Sequence, residues 1–319
     1  MKNHAGDKHV FEDVFGPRGM HVALFLFLAA SLFGCATVGK TTRLIARDLN
    51  PTLGTLKIRM VLLPLKDRTG LKSDGLKSAF EKPLRSAIRH HCGAVLLETG
   101  ADLLGFDDAD ALPRTPSGRL DAYRLCESGR RSGFNAIASI GIESIGVRVK
   151  ERGILWFKGE RHMLQIHGDA EVFDTRTGTK ALSRDFYFET QVDETFQVRT
   201  GSPTHLELPQ IRKGLLQIAG EMGDTICEAL NDLPWQGYVT AVKGDTLFLS
   251  AGKRTGVKPG MVLTVFEQGR IIEGIDGQKF IIPGKPKGKV KIVSAAPNTA
   301  EAEILSGGPV KEGDFVGVE

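Results

Sequence analysis

The stretch "LKIRMVLLPLKDRTG", residues 56–70, sets the reading of the first folded part of the chain. Met60 to Leu65 is a short continuous apolar run closed by a polar turn, the pattern of a strand buried on both faces. "SDGLKSAFEKPLRSAIRHHCG" follows. Leu76, Phe80, Leu84, Ile88 and Cys92 recur at every fourth position, which places them on one face of a helix. Asp74 suits its N-cap and Gly93 its end. Pro83 predicts a kink or a later start, because proline removes a helical donor. "AVLLETG" is a second buried strand. Ser117 offers a cap for a short helix carrying Leu120, Tyr123 and Cys126.

Further along, "FNAIASIGIESIGVRV", "ERHMLQIHGDAEVFDT" and "KALSRDFYFETQVDE" are extended segments, the last two joined by the turn chemistry of "DTRTGTK". Pro209 then opens a long helix with Ile211, Leu215, Ile218, Met222, Ile226 and Leu230 on one face. The order strand, helix, strand, helix, three strands, helix predicts an α/β mixed sheet with a helical layer. From Trp235 onward no helical stripe appears. The short strands "GYVTAV", "TLFLSAG", "MVLTVFE", "GKVKIVSA", "TAEAEIL" and "FVGVE" predict a small all-β barrel or sandwich. "TGVKPGMVLTV" and "GGPVKEGDFVGV" share a layout, which reads as a recurring turn-to-strand device.

The N-terminal region carries a conflict. Gly34, Gly39, Lys40 and Thr41 fit a phosphate-binding loop, while Leu32, Phe33, Gly34 and Cys35 fit the end of a lipoprotein signal peptide. The loop reading needs a helix, but "TRLIARDLN" stops at Pro51, and no downstream apolar run ends in the Mg²⁺-holding Asp that a nucleotidase requires. Val22 to Phe33 is too short to span a bilayer and suits a signal h-region. The segment Leu32, Phe33, Gly34, Cys35 resembles the lipobox of bacterial lipoproteins. That resemblance implies cleavage before Cys35, lipidation of Cys35 and loss of Gly34. Ala36 after the cysteine implies the outer membrane. Met1 and Met20 both stay open as the start. The expected organisation is a signal peptide at 1–34, a lipidated tether at 35–56, an α/β domain at 57–233 and a β domain at 235–319.

Two further resemblances concern the folded parts. "VLLPLKDRTG", the helix after it and the element order resemble the domain shared by the curli-secretion lipoprotein CsgG and the penicillin-binding-protein activator LpoB, a TolB N-terminal-like fold. "GYVTAVKGDTLFLSAGKRTGVKPGMVLTVFEQGR", "GKVKIVSA" and "VKEGDFVGV" resemble the C-terminal domain of flagellar assembly protein T. Together they imply an adaptor or scaffold in envelope assembly, flagellar or secretion-associated, on the periplasmic face. Its partners would be the membrane, through the lipid, and envelope proteins of an assembly machine, with peptidoglycan a further candidate and oligomerisation open. The alternatives are an activator of a peptidoglycan synthase and a P-loop nucleotidase. Neither resemblance brings catalytic residues, and no enzymatic activity is expected.

The remaining chemistry is sparse. Net charge is +4, from 42 basic and 38 acidic residues, which singles out no partner. Arg130 and Arg131 lack interleaved aromatics, so no nucleic-acid partner is expected. His90, His91 and Cys92 are adjacent and do not converge on a helix, and His162 and His167 alternate faces of a strand; no metal or other cofactor is expected. Glu98, Asp102, Asp107, Asp108 and Asp110 read as a solvated loop, without a calcium-loop pattern. Lys285, Lys287, Lys289 and Lys291 alternate, so a strand there would present all four on one face, either to an anionic partner or as a charged edge. "GVRVKERGILWFKGERH" is too charged and short to supply two membrane-crossing strands of a pore. With Cys35 lipidated, Cys92, Cys126 and Cys227 allow one disulfide, and spacing does not choose it.

Overall fold

The computed structural model describes residues 56–71, 74–152, 159–196, 198, 208–274 and 277–318. Strand β1 (Ile58–Leu62) lies at the heart of a mixed sheet. It stops before Pro64, earlier than the apolar run suggests, because proline has no N–H for the ladder. Leu63 N–H still donates to Ala138 O at 2.8 Å. The chain resumes pairing as β2 (Lys66–Asp67). Helix α1 (Asp74–His91) runs through Pro83 rather than starting after it. The side chain of Asp74 lies outside the described residues. β3 (Val95–Thr99) returns parallel to β1.

Helix α2 (Ala122–Arg131) is capped by Asp121, whose side chain accepts from Arg124 N. The expected cap, Ser117, instead sits in a turn where its hydroxyl meets that of Thr115 at 2.9 Å. The buried face of α2 is Leu125, Cys126 and Gly129, leaving Tyr123 at the rim. Strands β4 (Ala136–Arg152), β5 (Gly159–Asp174) and β6 (Thr179–Val192) form a long antiparallel meander. β4 and β5 stay ladder-paired out to Arg152 and Gly159, within the charged segment 146–162. Helix α3 (Pro209–Asn231) begins with Pro209 in its first turn, as expected.

The sheet order is β3-β1-β4-β5-β6, with β2 beside β4. Alternation on β1 gives the sheet two covered faces. Ile58, Met60 and Leu62 join Leu76, Phe80, Leu84 and Ile88 of α1 and the predicted stripe of α3 in one core. Val61 and Leu63 join Leu125, Cys126, Phe134 and Phe173 in a second core under α2. Helices therefore cover both faces.

The C-terminal part is a closed barrel. β7 (Gln236–Lys243), β8 (Thr246–Leu249), β9 (Val262–Phe266), β12 (Pro286–Ala295), β13 (Ala300–Gly307) and β14 (Phe315–Gly317) pair in the order β12-β13-β8-β7-β14-β9, with β9 closing onto β12. An additional ribbon, β10 (Arg270–Glu273) with β11 (Lys279–Ile282), was absent from the sequence pattern. The two similar turns are physically equivalent. Val257 and Val310 are buried, Gly260 and Gly313 take φ of 89° and 87°, and each turn leads into a strand of the adjacent pair β9 and β14. A positive φ there suits glycine alone without strain.

The two parts share buried contacts. Leu56, the last residue of the expected tether, sits in the barrel core, and Lys57 N–H donates to Thr255 O. Trp235 packs against both the helix-covered core and the barrel core. Gly133 lies so near the barrel that a Cβ would come 2.9 Å from Ser250 O, and its φ of 77° also favours glycine.

Candidate functional site: a groove where the α/β domain meets the barrel

A buried polar chain fastens this junction. Asn135 Nδ2 donates to Gln236 O at 2.6 Å, and its Oδ1 accepts from Arg59 N at 2.9 Å. Gln236 Nε2 donates to the Tyr238 hydroxyl at 2.6 Å, which lies 3.0 Å from the Thr175 hydroxyl. Thr175 in turn reaches the carbonyls of Phe134 and Asn135. Desolvation pushes the Tyr238 phenol well above its ordinary pKa, so it stays neutral and serves as both acceptor and donor.

Beside this chain opens a groove of about 730 Å³. Helix α2 contributes Tyr123, Glu127, Arg130 and Arg131; the turn between β5 and β6 contributes Arg176; the ribbon contributes Ile271 and Ile281. Glu312, Gly313 and Phe315 border it before and within β14. Arg130 Nη1 donates to Thr175 O at 2.6 Å, and its guanidinium lies 5.7 Å from the Tyr123 ring. Arg131 pairs with Glu127 at 3.0 Å in an exposed ion pair. Arg176 Nε–H is buried without a hydrogen-bond partner. Among the described residues neither Arg130 nor Arg176 forms an ion pair. The groove offers guanidinium groups beside an apolar wall, a binding surface for something anionic and partly aliphatic. A second, more open hollow of about 570 Å³ lies outside α1 and α3, against Pro83, His90, His91 and Leu216.

The lysine row behaves differently from its alternation. Lys287 is the extra residue of a bulge: Pro286 pairs with Phe266 and Gly288 with Val265, leaving Lys287 unopposed. Its ammonium turns to the buried carboxylate of Asp314. Lys289 and Lys291 are exposed on the barrel's outer surface, and Lys285 precedes the strand. The four therefore do not make one face. Leu32, Phe33, Gly34 and Cys35 lie outside the described residues, as do Gly39, Lys40 and Thr41.

Other sequence candidates are dispersed or already engaged. Cys92 is bonded to Cys227. His91 pairs with Asp224 at 3.0 Å. Glu98 holds Arg59 at 2.7 Å, and Asp108 accepts from Asp110 N and Ala111 N. Among the described residues no three His, Cys, Asp or Glu side chains converge as a metal site, and no helix is long and apolar enough to cross a membrane. The groove residues went unrecognised because Arg131 and Arg176 come from separate elements. Only Arg130 and Arg131 carried a signal, a local basic doublet.

No family model matches the chain, and no curated protein matches it. Solved structures that overlap it include a lipoprotein from Neisseria meningitidis, at 11% identity over 55% of this chain and 99% of that one, with a TM-score of 0.29. A minor lipoprotein from Acinetobacter baumannii overlaps at 14% identity over 55% of this chain and 95% of that one, TM-score 0.27. A hypothetical protein from Chlamydia trachomatis overlaps at 13% identity over 54% and 99%, TM-score 0.31. Superpositions this loose transfer no function.

Proposed function

We propose that this chain is a lipid-anchored, non-enzymatic adaptor whose folded body faces the periplasm and helps to build an envelope structure. The observation that carries the reading is the Cys92–Cys227 disulfide, both of whose residues are 4% exposed. Such a structural bridge forms and persists in oxidising compartments and is rare in the cytosol. That is the side on which a body tethered through Cys35 would stand. Flagellar or secretion-associated assembly, at the outer membrane, is the specific role favoured by the resemblances of the two domains and by Ala36 after the cysteine.

Metabolic palmitate labelling tests the anchor. Wild type takes up label and Cys35→Ala does not; equal labelling of the two removes the anchor. A deletion strain is expected to lose motility, secretion or wall integrity. A strain normal in all three would remove the assembly role.

A further inference from the structure

We propose that the junction groove binds a small organic acid, whose single carboxylate sits between Arg130 and Arg176 and whose apolar body lies against Tyr123, Ile271 and Ile281. The site rests on the geometry alone and is independent of the adaptor reading.

The two arginines meet at one turn. Arg130, on α2, donates from Nη1 to Thr175 O at 2.6 Å, and Arg176 is the next residue of that turn. This bond and the Tyr123 ring, 5.7 Å away, hold the Arg130 guanidinium in place, and its other N–H groups take no partner among the described residues. The Arg176 guanidinium makes neither a hydrogen bond nor an ion pair among the described residues, and its Nε–H is sealed from water. An unmet donor on a charged group is costly. A small turn of the side chain onto a carboxylate oxygen in the groove satisfies it, and the guanidinium fork suits both oxygens of a carboxylate together. Two guanidiniums at one turn also repel each other, and an anion between them offsets that repulsion.

Charge and shape choose the class of ligand. Three arginines and two glutamates line the groove, leaving one positive charge. A carboxylate matches it; a phosphate monoester, at about −1.5 to −2 near neutral pH, overshoots it. The apolar side is built on the same turn. A Cβ at Gly178 would come 3.7 Å from the Tyr123 ring and 3.8 Å from Lys279 O, and Ile281 N–H donates to Thr177 O at 2.8 Å. Tyr123, the turn and β11 therefore form one wall. Ile271 is paired with Ile281 across the ribbon, so the two side chains share the face that lines the groove. An inorganic anion would leave this wall uncovered. At about 730 Å³ the groove has the size of ordinary small-ligand sites, about 300–1,000 Å³, and it lies at a domain junction, where such sites concentrate.

Fluorine NMR titration of the intact chain in non-ionic detergent with 4-fluorobenzoate tests this. The uncharged 4-fluorobenzamide reports partition into the micelle. Saturable binding of the acid is expected with a dissociation constant on the order of millimolar, as for a fragment of about ten non-hydrogen atoms. The amide binds about tenfold more weakly, the loss expected for one charge-assisted hydrogen bond. Arg176→Gln weakens the acid by about the same factor; since that guanidinium has no partner in the fold, the variant is expected to melt with wild type. Ile271→Ser, at a 53% exposed position, weakens binding several-fold by removing apolar contact. Acetate, which has the charge without the body, does not displace the probe at equal concentration. Lys289→Gln with Lys291→Gln leaves binding unchanged.

The arginine and isoleucine variants act on different groups, so a folding defect in one leaves the other decisive. The proposal falls if the acid does not bind saturably, if acid and amide bind equally, or if binding survives both Arg176→Gln and Ile271→Ser. It also falls if 4-fluorophenyl phosphate binds more tightly than 4-fluorobenzoate, which would make this a phosphate site. Displacement of the probe by muropeptides or an acidic peptide at lower concentration than by unlabelled benzoate would assign the groove to a macromolecule and overturn it too. Absence of binding with palmitate labelling intact removes this inference alone. Loss of labelling removes the anchor and leaves the titration standing.

Discussion

Cys92, one residue beyond α1, is bonded to Cys227 in α3, with Cα atoms 5.2 Å apart across a sequence separation of 135. The bridge closes a loop containing most of the α/β domain, and a cross-link of that span removes much of the unfolded chain's freedom. Cys92→Ser with Cys227→Ser should lower stability by about 2–5 kcal/mol. Urea denaturation with and without reductant measures it in wild type, and unchanged midpoints would contradict it. Cys126 should resist alkylation until unfolding, since burial pushes its thiol well above the ordinary range.

The same two helices meet at Gly223. A Cβ there would come 2.6 Å from the Ala87 Cβ and 3.4 Å from Ile88 N. Glycine to alanine in a helix normally adds up to about 1 kcal/mol. At this position overpacking costs about 1–3 kcal/mol, so Gly223→Ala should destabilise the fold. Gly220, one turn earlier, has open space at its Cβ position, so Gly220→Ala should stabilise it. Thermal melts of the pair should move in opposite directions; a shared direction would show that the helices slide apart to admit the methyl.

Much of this packing is legible in the sequence, for a physical reason. The stripe from Ile211 to Leu230 and the stripe from Leu76 to Ile88 repeat at the helical period because each helix buries one face. The barrel strands alternate for the same reason at period two. What stays hidden depends on contacts between distant residues. The ribbon of β10 and β11 stands on an exposed surface, where no buried face imposes a pattern. Arg176 reaches the groove from a turn 45 residues beyond Arg131. Lys287 keeps the parity of Lys289 and Lys291, yet a one-residue bulge redirects it, and bulges leave no periodic trace. The disulfide follows from where α1 and α3 end in space.

On the open part of the sheet, the Asp169 carboxylate lies over Gly141, where a Cβ would come 2.2 Å from its Oδ1. Desolvation raises its pKa from the ordinary carboxylate value, against the pull of Arg68, whose Nη1 is 3.8 Å away, and of Lys66. Between the unfolded and folded pKa values the native state holds the extra proton. The contribution of Asp169 to stability is therefore fully present below the unfolded value and is lost as pH rises through the folded one. Asp169→Asn carries no such proton. The stability of wild type relative to Asp169→Asn should fall as pH rises from the unfolded carboxylate value, about 4, through the raised folded one. Urea midpoints for both proteins across that range read it; parallel curves would mean that Asp169 titrates as in the unfolded chain.

The bulge at Lys287 makes the lysine row experimentally separable. Asp314 is 3% exposed and accepts from Gln268 N at 3.0 Å and Lys311 N at 2.6 Å, and the Lys287 ammonium completes its shell. Lys287→Met keeps the aliphatic stem and deletes the charge. Removing one partner of a buried pair costs about 3–5 kcal/mol when nothing else holds the survivor. Two N–H donors remain here, so about 1–3 kcal/mol is expected. Lys289→Met and Lys291→Met, which alter exposed side chains, should each stay within about 0.5 kcal/mol of wild type. Chemical denaturation of the three variants distinguishes a row of equivalent surface lysines, which would shift together, from a barrel in which Lys287 alone is a structural counterion.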